Sequence, residues 1–145
     1  MEREYGNSFV NRTKNPRFVI FGFINGVKPD KVRYPQALIR PTQTHEGICM
    51  FSTEDIIARK VQAILGRGKQ KDFWDIAELL QHYTVEDYVH FHREKYEQQN
   101  LQKTVPLALT YFADGKESED PVSLKGQSWE TVKAIICKKV SDYLA

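Results

Sequence analysis

The spacing of hydrophobic positions changes along the chain, from one continuous apolar run near the start to helical periodicity from residue 53 onward. Residues 18–24 are β-branched and aromatic, too few for a typical helix, and apolar on both faces, which predicts a covered central strand. Asn25 and Gly26 follow and favour the positive φ angles of a type I′ hairpin turn. The next strand, within residues 27–34, contains Pro29, which cannot donate a ladder hydrogen bond and so predicts an edge strand or a bulge.

Turn-forming segments flank this predicted hairpin. Residues 1–16 are polar and rich in glycine, asparagine and proline, so we expect an arm or a loop there. After the hairpin, Pro35 and Pro41 indicate a further loop, and a short strand is expected at residues 47–51.

Helical periodicity begins after Ser52. Ser52 and Asp55 have the spacing of a capping box and predict a helix over residues 53–65, which Gly66 and Gly68 terminate. The apolar stripe expected for this helix is Ile57, Val61, Ile64 and Leu65.

A second helix is predicted to start at Asp72, which can cap it while Asp75 favours the positive end of the helix dipole. Its buried face is expected to contain Phe73, Ile76, Ala77 and Leu80. Further helices are predicted over residues 84–97, 101–112 and 129–144, with an exposed acidic loop between the last two. The apolar side of the last helix is expected to be Trp129, Val132, Ile136, Val140 and Tyr143.

This order of elements is typical of the α+β class, with an antiparallel β-hairpin first and a helical bundle after it. The chain has 145 residues, of which 41% are hydrophobic, enough for one core. We expect the β region with its N-terminal arm, residues 1–51, and the helical region, residues 52–145, to pack as one domain. No apolar run approaches the length of about 20 residues that a membrane helix needs, and no export signal is seen, so a cytoplasmic location is expected.

Charge is distributed unevenly along the chain. Residues 1–71 carry 13 Lys and Arg against 6 Asp and Glu, a net charge of +7, whereas residues 72–145 carry 8 against 13, a net charge of −5. A basic first half could face phosphates. An equally supported interpretation is that the two halves pack together and partly neutralise each other.

Three groups of residues that often form functional sites are interpreted here as structural. Cys49 and Cys137 are far apart in the sequence and belong to no Cys-x-x-Cys motif, which favours two buried free thiols. His90 and His92 face different ways on a helix, which favours surface histidines over a joint metal site. Packing is favoured over base stacking for the aromatic residues at core-facing spacing, which are Phe18, Phe21, Phe23, Phe73, Trp74 and Trp129.

The densest group of charged residues lies within residues 60–75. Lys60 and Arg67 are seven residues apart, which is two helical turns, so they point to about the same side with a separation of about 10 Å that suits adjacent phosphates of a nucleoside triphosphate. Asp72 and Asp75 also share a face and could orient these cations or accept a proton. The structural alternative, slightly favoured by spacing alone, is that Lys60 extends along the surface, Arg67 caps a helix end, and the aspartates serve only the second helix.

A resemblance to a known family rests on residues 60–75, which read Lys-x-x-Ala-Ile-Leu-Gly-Arg-Gly-x-x-Lys-Asp-Phe-x-Asp. This segment resembles a signature of the AbiEii/AbiGii toxin family. Like residues elsewhere extend the resemblance over nearly the whole chain, at Glu54-Asp55-Ile56-Ile57, Leu79-Leu80, Lys95-Tyr96, Tyr111-Phe112-Ala113-Asp114 and Trp129.

The resemblance implies a nucleotidyltransferase fold similar to that of DNA polymerase β, present here as a partial sheet, followed by a helical region. It implies nucleotide transfer from a nucleoside triphosphate to an acceptor, often tRNA, with Mg²⁺ or Mn²⁺, by a bacterial toxin that a separately encoded antitoxin protein neutralises. By the same resemblance, Lys60, Arg67 and Lys71 would bind the triphosphate. Lys60, Asp72 and Asp75 would be the catalytic residues.

The sequence departs from the family pattern at the metal site. The family has a Gly-Gly or Gly-Ser turn and then an Asp-x-Asp strand end that holds two metal ions, and this chain contains neither motif. Asp30 is the candidate for the third metal-binding carboxylate, although Pro29 and Lys31 stand where the family has apolar residues. The acidic residues 117–120 are interpreted as solvated surface. Weak metal binding and little catalysis by the chain alone are therefore expected, as in a fragment or a shortened member.

Three hypotheses follow for the function. The first is a nucleotidyltransferase of the AbiEii type. The second is a module that keeps the phosphate-binding corner and binds nucleotide, RNA or a partner protein without chemistry. The third is an interaction protein whose first strand pairs with another chain, as in a homo-oligomer.

Overall fold

A computed structural model describes residues 5–13, 19–97, 104–113, 115, 118–119 and 121–145. Within these residues the chain has five β-strands in two antiparallel sheets, followed by five α-helices. The predicted α+β class, with an antiparallel hairpin first and a helical bundle after it, is confirmed. The chain divides into two compact units, residues 1–36 and 37–145. The packing of residues 1–51 and 52–145 as one domain stays a prediction.

The first unit contains a three-stranded antiparallel sheet. β1 (Phe9–Asn11) pairs with β2 (Val19–Ile24), and β2 pairs with β3 (Asp30–Val32), so β2 is the central strand, as predicted. The predicted first residue of this strand, Phe18, lies outside the described residues. β3 is an edge strand of this sheet and begins directly after Pro29, which agrees with the missing hydrogen-bond donor of that residue.

The turn between β2 and β3 is the predicted two-residue turn. Asn25 has a φ of 49° and Gly26 a φ of 81°, and a type I′ turn requires positive φ at both central residues. Ile24 and Val27 exchange two backbone hydrogen bonds, of 2.8 and 2.9 Å, across the turn. The Asn-Gly dipeptide therefore sets the register of this hairpin.

Two expectations for the first unit are wrong. Residues 1–16 are not only an arm or loop, because Phe9–Asn11 forms β1. Phe9 packs over Gly22 of β2, where an added Cβ would lie 2.3 Å from Cε2 of the phenyl ring, so glycine is needed for this close approach. The prediction that β2 is covered on both faces is wrong for Phe21, which is 43% exposed.

A second antiparallel hairpin opens the second unit. β4 (Gln43–His45) pairs with β5 (Ile48–Met50), and the turn between them has positive φ at Glu46 and Gly47. β5 confirms the short strand expected at residues 47–51. β4 escapes prediction because its side chains are polar on both faces, and all of them are exposed.

Helices form the rest of the second unit. They are α1 (Thr53–Gly66), α2 (Gln70–Leu79), α3 (Val85–Lys95), α4 (Thr104–Leu109) and α5 (Trp129–Leu144). The apolar stripes predicted for α1, α2 and α5 meet in one core, although Tyr143 of α5 is 42% exposed. Residues 101–103 of the fourth predicted helix lie outside the described residues. Among the described helices, none combines the length and apolar character that crossing a bilayer would require.

Side chains fix the starts of these helices. The hydroxyl of Ser52 accepts a hydrogen bond from the N–H of Asp55, as predicted for α1. A complete capping box forms between Thr84 and Asp87 at the start of α3. The prediction that Asp72 caps α2 is wrong, because α2 begins at Gln70 and Asp72 lies in its first turn.

Three single residues also differ from expectation. Cys49 and Cys137 are free but exposed, so the prediction of buried thiols is wrong. His90 is exposed as expected, but His92 is only 2% exposed and is not a surface histidine. Its Nε2 lies 2.7 Å from the amide oxygen of Gln62 in α1.

Candidate functional site

Lys60 of α1 reaches two carboxylates of α2. Its Nζ lies 3.1 Å from Oδ1 of Asp72 and 2.5 Å from Oδ2 of Asp75. The two aspartates are three residues apart on one helix, so both side chains can face α1. The structure therefore brings three of the predicted site residues into direct contact.

Burial differs sharply among these three side chains. The side chain of Asp72 is 2% exposed, that of Lys60 is 27% exposed and that of Asp75 is 49% exposed. Burial lowers the pKa of Lys60, but its hydrogen bonds to Asp75 and Asp72, together with their charges, outweigh that effect and raise the pKa above its ordinary value. Lys60 is therefore a stable cation at neutral pH.

Asp72 keeps an unused hydrogen-bonding capacity. Its Oδ2 is buried and, within the part of the chain that the structure describes, has no hydrogen-bond partner. Such groups are rare in proteins because their desolvation is not offset by a hydrogen bond. Asp72 can therefore accept one more donor while it holds Lys60.

A cavity of about 280 Å³ opens beside Lys60. Three cationic side chains and one buried carboxylate share its wall, so the local charge favours an anionic ligand. The lining residues are Ile56, Arg59, Lys60, Ala63, Arg67 and Asp72.

Arg59 is a member of this cavity wall that sequence reasoning missed. Its guanidinium also lies over the ring of Phe51, 4.7 Å from the centroid. The signal was present in the sequence, because residues 56, 59, 60, 63 and 67 recur at the spacing of three and four that defines one helix face.

Arg67 lies both at the end of α1 and beside the cavity, and its binding of phosphate stays a prediction. It is the C-cap residue of α1, and its backbone N–H donates to the carbonyl oxygen of Ala63 at 2.9 Å. Its side chain lines the same cavity as Lys60. Lys71, the third predicted phosphate ligand, instead lines a second cavity together with Trp74 and Asp75.

The residues around Lys60 also lie within the region that a known family model matches. A family model described as nucleotidyl transferase AbiEii toxin, type IV TA system, matches residues 10–130 and so includes all of α1 and α2. The chain belongs to the AbiEii nucleotidyltransferase toxin family. The resemblance identified at residues 60–75 is thereby confirmed.

One curated relative of this AbiEii-family chain is an uncharacterized protein of Aquifex aeolicus (strain VF5). It is 31% identical over 118 residues, which are 77% of this chain and 54% of that protein. The chain therefore spans about half the length of this relative. The comparison with solved structures gave no significant match.

Membership of the AbiEii family implies a divalent metal. The carboxylates of the described residues are not arranged to bind one. Asp72 and Asp75 are both bound by Lys60. Asp30, the predicted metal ligand, starts β3 in the first unit, where it is exposed and pairs with Lys28 at 3.7 Å. Within the described ranges, no group of three or more His, Cys, Asp or Glu side chains is arranged to hold a metal ion. Glu117 and Asp120 of the acidic loop lie outside those ranges.

Proposed function

We propose that this chain carries the triphosphate-binding corner of an AbiEii-type nucleotidyltransferase. The observation that carries the proposal is the cavity wall formed by Arg59, Lys60 and Arg67. A triphosphate presents several negative oxygens along a short chain, and cations on a rigid helix can bind them without reorganisation. Lys60 and Arg67 keep the phosphate-binding role that the sequence predicts, and Arg59 is added to them.

The ion pairs of Lys60 support this role. An ammonium group has three N–H donors, and two of them are directed at Asp72 and Asp75. The third donor can reach a phosphate oxygen while the two carboxylates keep the lysine charged and fixed. Asp72 and Asp75 therefore act as positioning residues for Lys60.

The reaction that we propose is attack by a hydroxyl of an acceptor, such as tRNA, on the α-phosphorus of a nucleoside triphosphate. The bond between the α-phosphorus and the oxygen that bridges to the β-phosphate breaks, pyrophosphate leaves, and the proton of the hydroxyl passes to solvent. Because such transfers depend on positioning and charge neutralisation, cations beside the phosphates are the expected contribution of this corner. Mg²⁺ or Mn²⁺, the predicted cofactor, would supply further neutralisation, but the phosphate contacts proposed for Lys60, Arg59 and Arg67 do not depend on it.

The partners follow from the family and the charge pattern. The excess of cations in residues 1–71 favours a polyanionic partner such as tRNA. We further propose a cytoplasmic location, a cognate antitoxin protein as the neutralising partner, and Lys71 as a phosphate ligand at the neighbouring cavity. Self-association into a homo-oligomer stays a separate hypothesis for the strand edges of the first unit.

The alternative function is nucleotide binding without transfer. It is favoured by the absence of an Asp-x-Asp motif from the sequence and of a metal-binding carboxylate group from the described residues. In that case the cavity beside Lys60 would bind triphosphate and leave it intact.

Transfer of α-labelled nucleotide to bulk tRNA, with Mg²⁺ or Mn²⁺, separates the two functions. Labelling by the wild-type chain that falls about 100-fold in Lys60→Ala, as is typical when a charged group that stabilises the transition state is removed, would support transfer. Lys139→Ala, which removes an exposed lysine of α5, is the matched control and should label normally. Equal labelling by Lys60→Ala and the wild type would refute the role of Lys60, whereas no labelling by the wild type would favour the binding function.

A further inference from the structure

A second cavity lies on the other side of Asp75, between α2 and the loop that precedes α5. Its volume is about 280 Å³. One face of α2 contributes Lys71, Trp74, Asp75 and Glu78, at the spacing of three and four that places them side by side. Residues 121–125 and 127 form the opposite wall.

We propose that this cavity binds a nucleobase, and the proposal rests on the nucleotide-binding function proposed above. The two cavities meet at one ion pair, in which Nζ of Lys60 lies 2.5 Å from Oδ2 of Asp75. Lys60 lines the cationic cavity and Asp75 lines the second one. A nucleotide joins a charged phosphate group to a flat base. The faces of the base are apolar, and its edges carry hydrogen-bond donors and acceptors. The neighbouring cavities present one suitable surface for each part.

The aromatic part of the wall is Trp74. Trp129 stacks on it with a centroid distance of 5.3 Å and an interplanar angle of 7°, and Trp129 does not line the cavity. Trp129 in turn contacts the rings of Phe73 and Phe112, at 5.7 and 5.6 Å. Trp74 is therefore held by a packed aromatic group before any ligand arrives, so that little conformational entropy is lost when a base packs against it.

Polar groups of the same wall suit the edge of a base. Within the described residues, the side-chain amide of Gln127 makes no hydrogen bond, and Nε1 of Trp74 is buried without a partner. Gln127 offers both a donor and an acceptor, Lys71 offers donors and Asp75 an acceptor. Bases present mixed donors and acceptors on their edges, so this set can recognise them.

The loop wall is anchored to α2 and to itself. The ammonium of Lys125 donates to the carboxylate of Glu78. The hydroxyl of Ser123 accepts a hydrogen bond of 2.9 Å from the N–H of Gln127. Val122 and Leu124, by contrast, are 90% and 97% exposed, and each has apolar surface that a bound base could cover.

Tryptophan fluorescence reports directly on this cavity, because the sequence contains two tryptophans and both lie in the stacked pair. We would titrate the chain with adenosine, guanosine, cytidine and uridine, with each triphosphate and with inorganic triphosphate, correcting for nucleoside absorbance. The proposal predicts a saturable emission change with at least one nucleoside. If none of the four changes the emission, the proposal is overturned.

Two variants test the assignment to this cavity. Trp74→Leu removes the aromatic surface, and Gln127→Leu removes the amide without disturbing the aromatic group. Each should weaken nucleoside binding about tenfold, the order of effect that losing a stacking or base-edge contact usually has. Gln43→Leu, on the exposed strand β4, is the control and should leave binding unchanged. Unchanged nucleoside binding in both Gln127→Leu and a folded Trp74→Leu would also overturn the proposal.

The base could come from the triphosphate or from the 3′ end of the acceptor, and Lys60→Ala separates these sources. If it is the base of the triphosphate, the triphosphate binds more tightly than its nucleoside, and Lys60→Ala removes that difference. If it is the acceptor base, a short oligonucleotide competes with the nucleoside and Gln127→Leu leaves triphosphate affinity unchanged. Loss of inorganic triphosphate binding in Lys60→Ala without any nucleoside response would leave the phosphate-binding corner standing and remove only the base cavity.

Discussion

At the scale of single residues, His92 of α3 illustrates how a helix face can bury a polar side chain. Residues 85, 88, 92 and 95 recur at helical spacing, and all four are buried. The ring of His92 packs against Tyr96 at a centroid distance of 4.9 Å. This periodicity is visible in the sequence, but the relative directions of His90 and His92 alone do not reveal that His92 belongs to the buried face.

The burial of His92 predicts a pH-dependent stability. Burial lowers the pKa of His92 below its ordinary value of 6.5, so the folded state favours the neutral ring, whose Nε2 donates to Gln62. As the pH falls below about 6.5, the unfolded chain takes up the proton first, and the free energy of unfolding decreases until the pH passes the lowered pKa. Urea unfolding between pH 7.5 and 5, which spans about one unit or more on either side of the ordinary pKa, should show this decrease.

The control for this prediction is His92→Gln, which keeps a neutral polar side chain at the same position. Its free energy of unfolding should lose the part of the pH dependence that belongs to His92, while His90→Gln, on the exposed side of α3, should keep it. The same pH dependence in His92→Gln and in the wild type would contradict the account.

The candidate site was only partly predictable at this scale. The shared side of Lys60 and Arg67 follows from their separation on one helix. The contacts of Lys60 with Asp72 and Asp75 do not, because they depend on how α2 packs against α1 after the glycine-flanked turn. Spacing alone therefore left the aspartates as either helix-start residues or partners of the cations.

At the scale of elements, local sequence predicted the long helices and the Asn-Gly hairpin well. α5 has the predicted bounds, and α1 extends one residue beyond them. The three-residue strands β1 and β4 were missed, because segments this short show no measurable periodicity and exist through pairing with a neighbouring strand. Elements that depend on tertiary partners are thus the ones that sequence pattern does not reveal.

Asp55 shows the same dependence on distant partners. Its N–H is capped by Ser52 as predicted, but its carboxylate accepts hydrogen bonds of 3.1 Å from the backbone N–H groups of Ile39 and Arg40. Oδ1 of Asp55 also lies 2.5 Å from Nζ of Lys95 in α3. The same ammonium group donates a hydrogen bond to the carbonyl oxygen of Ala37. This buried ion pair joins the segment 37–40 to α1 and α3.

Breaking this ion pair should destabilise the second unit. Lys95→Met leaves the carboxylate of Asp55 buried without its cation, and such a loss typically costs about 3 to 5 kcal/mol of the free energy of unfolding. Lys138→Met, an exposed lysine of α5, should change stability by less than about 0.5 kcal/mol. Urea unfolding monitored by circular dichroism measures both, and equal stability of the two variants would show that the Asp55–Lys95 pair has no special role.

At the scale of the whole molecule, the order of strands and helices was enough to predict the α+β class, because the spacing of apolar residues changes between the two parts of the chain. The resemblance seen in the sequence rested on residues 60–75, and the family match extends over residues 10–130. The chain spans about half of its Aquifex relative, so the activity of the whole protein stays a proposal. Binding of triphosphate by the corner formed by α1 and α2 can be tested with this chain by itself.

Isothermal calorimetry with inorganic triphosphate tests that property most directly. The double variant Lys60→Ala, Arg67→Ala should bind at least about tenfold more weakly than the wild type, because two charge-assisted contacts are lost. The control double variant Lys138→Ala, Lys139→Ala removes the same charge from α5. The single variant Arg67→Ala leaves Lys60 in place, so the buried Asp72 keeps its cation. The account predicts weaker binding in the first double variant and in Arg67→Ala, and near wild-type binding in the control. Equal binding in all four proteins, or none in the wild type, would contradict it.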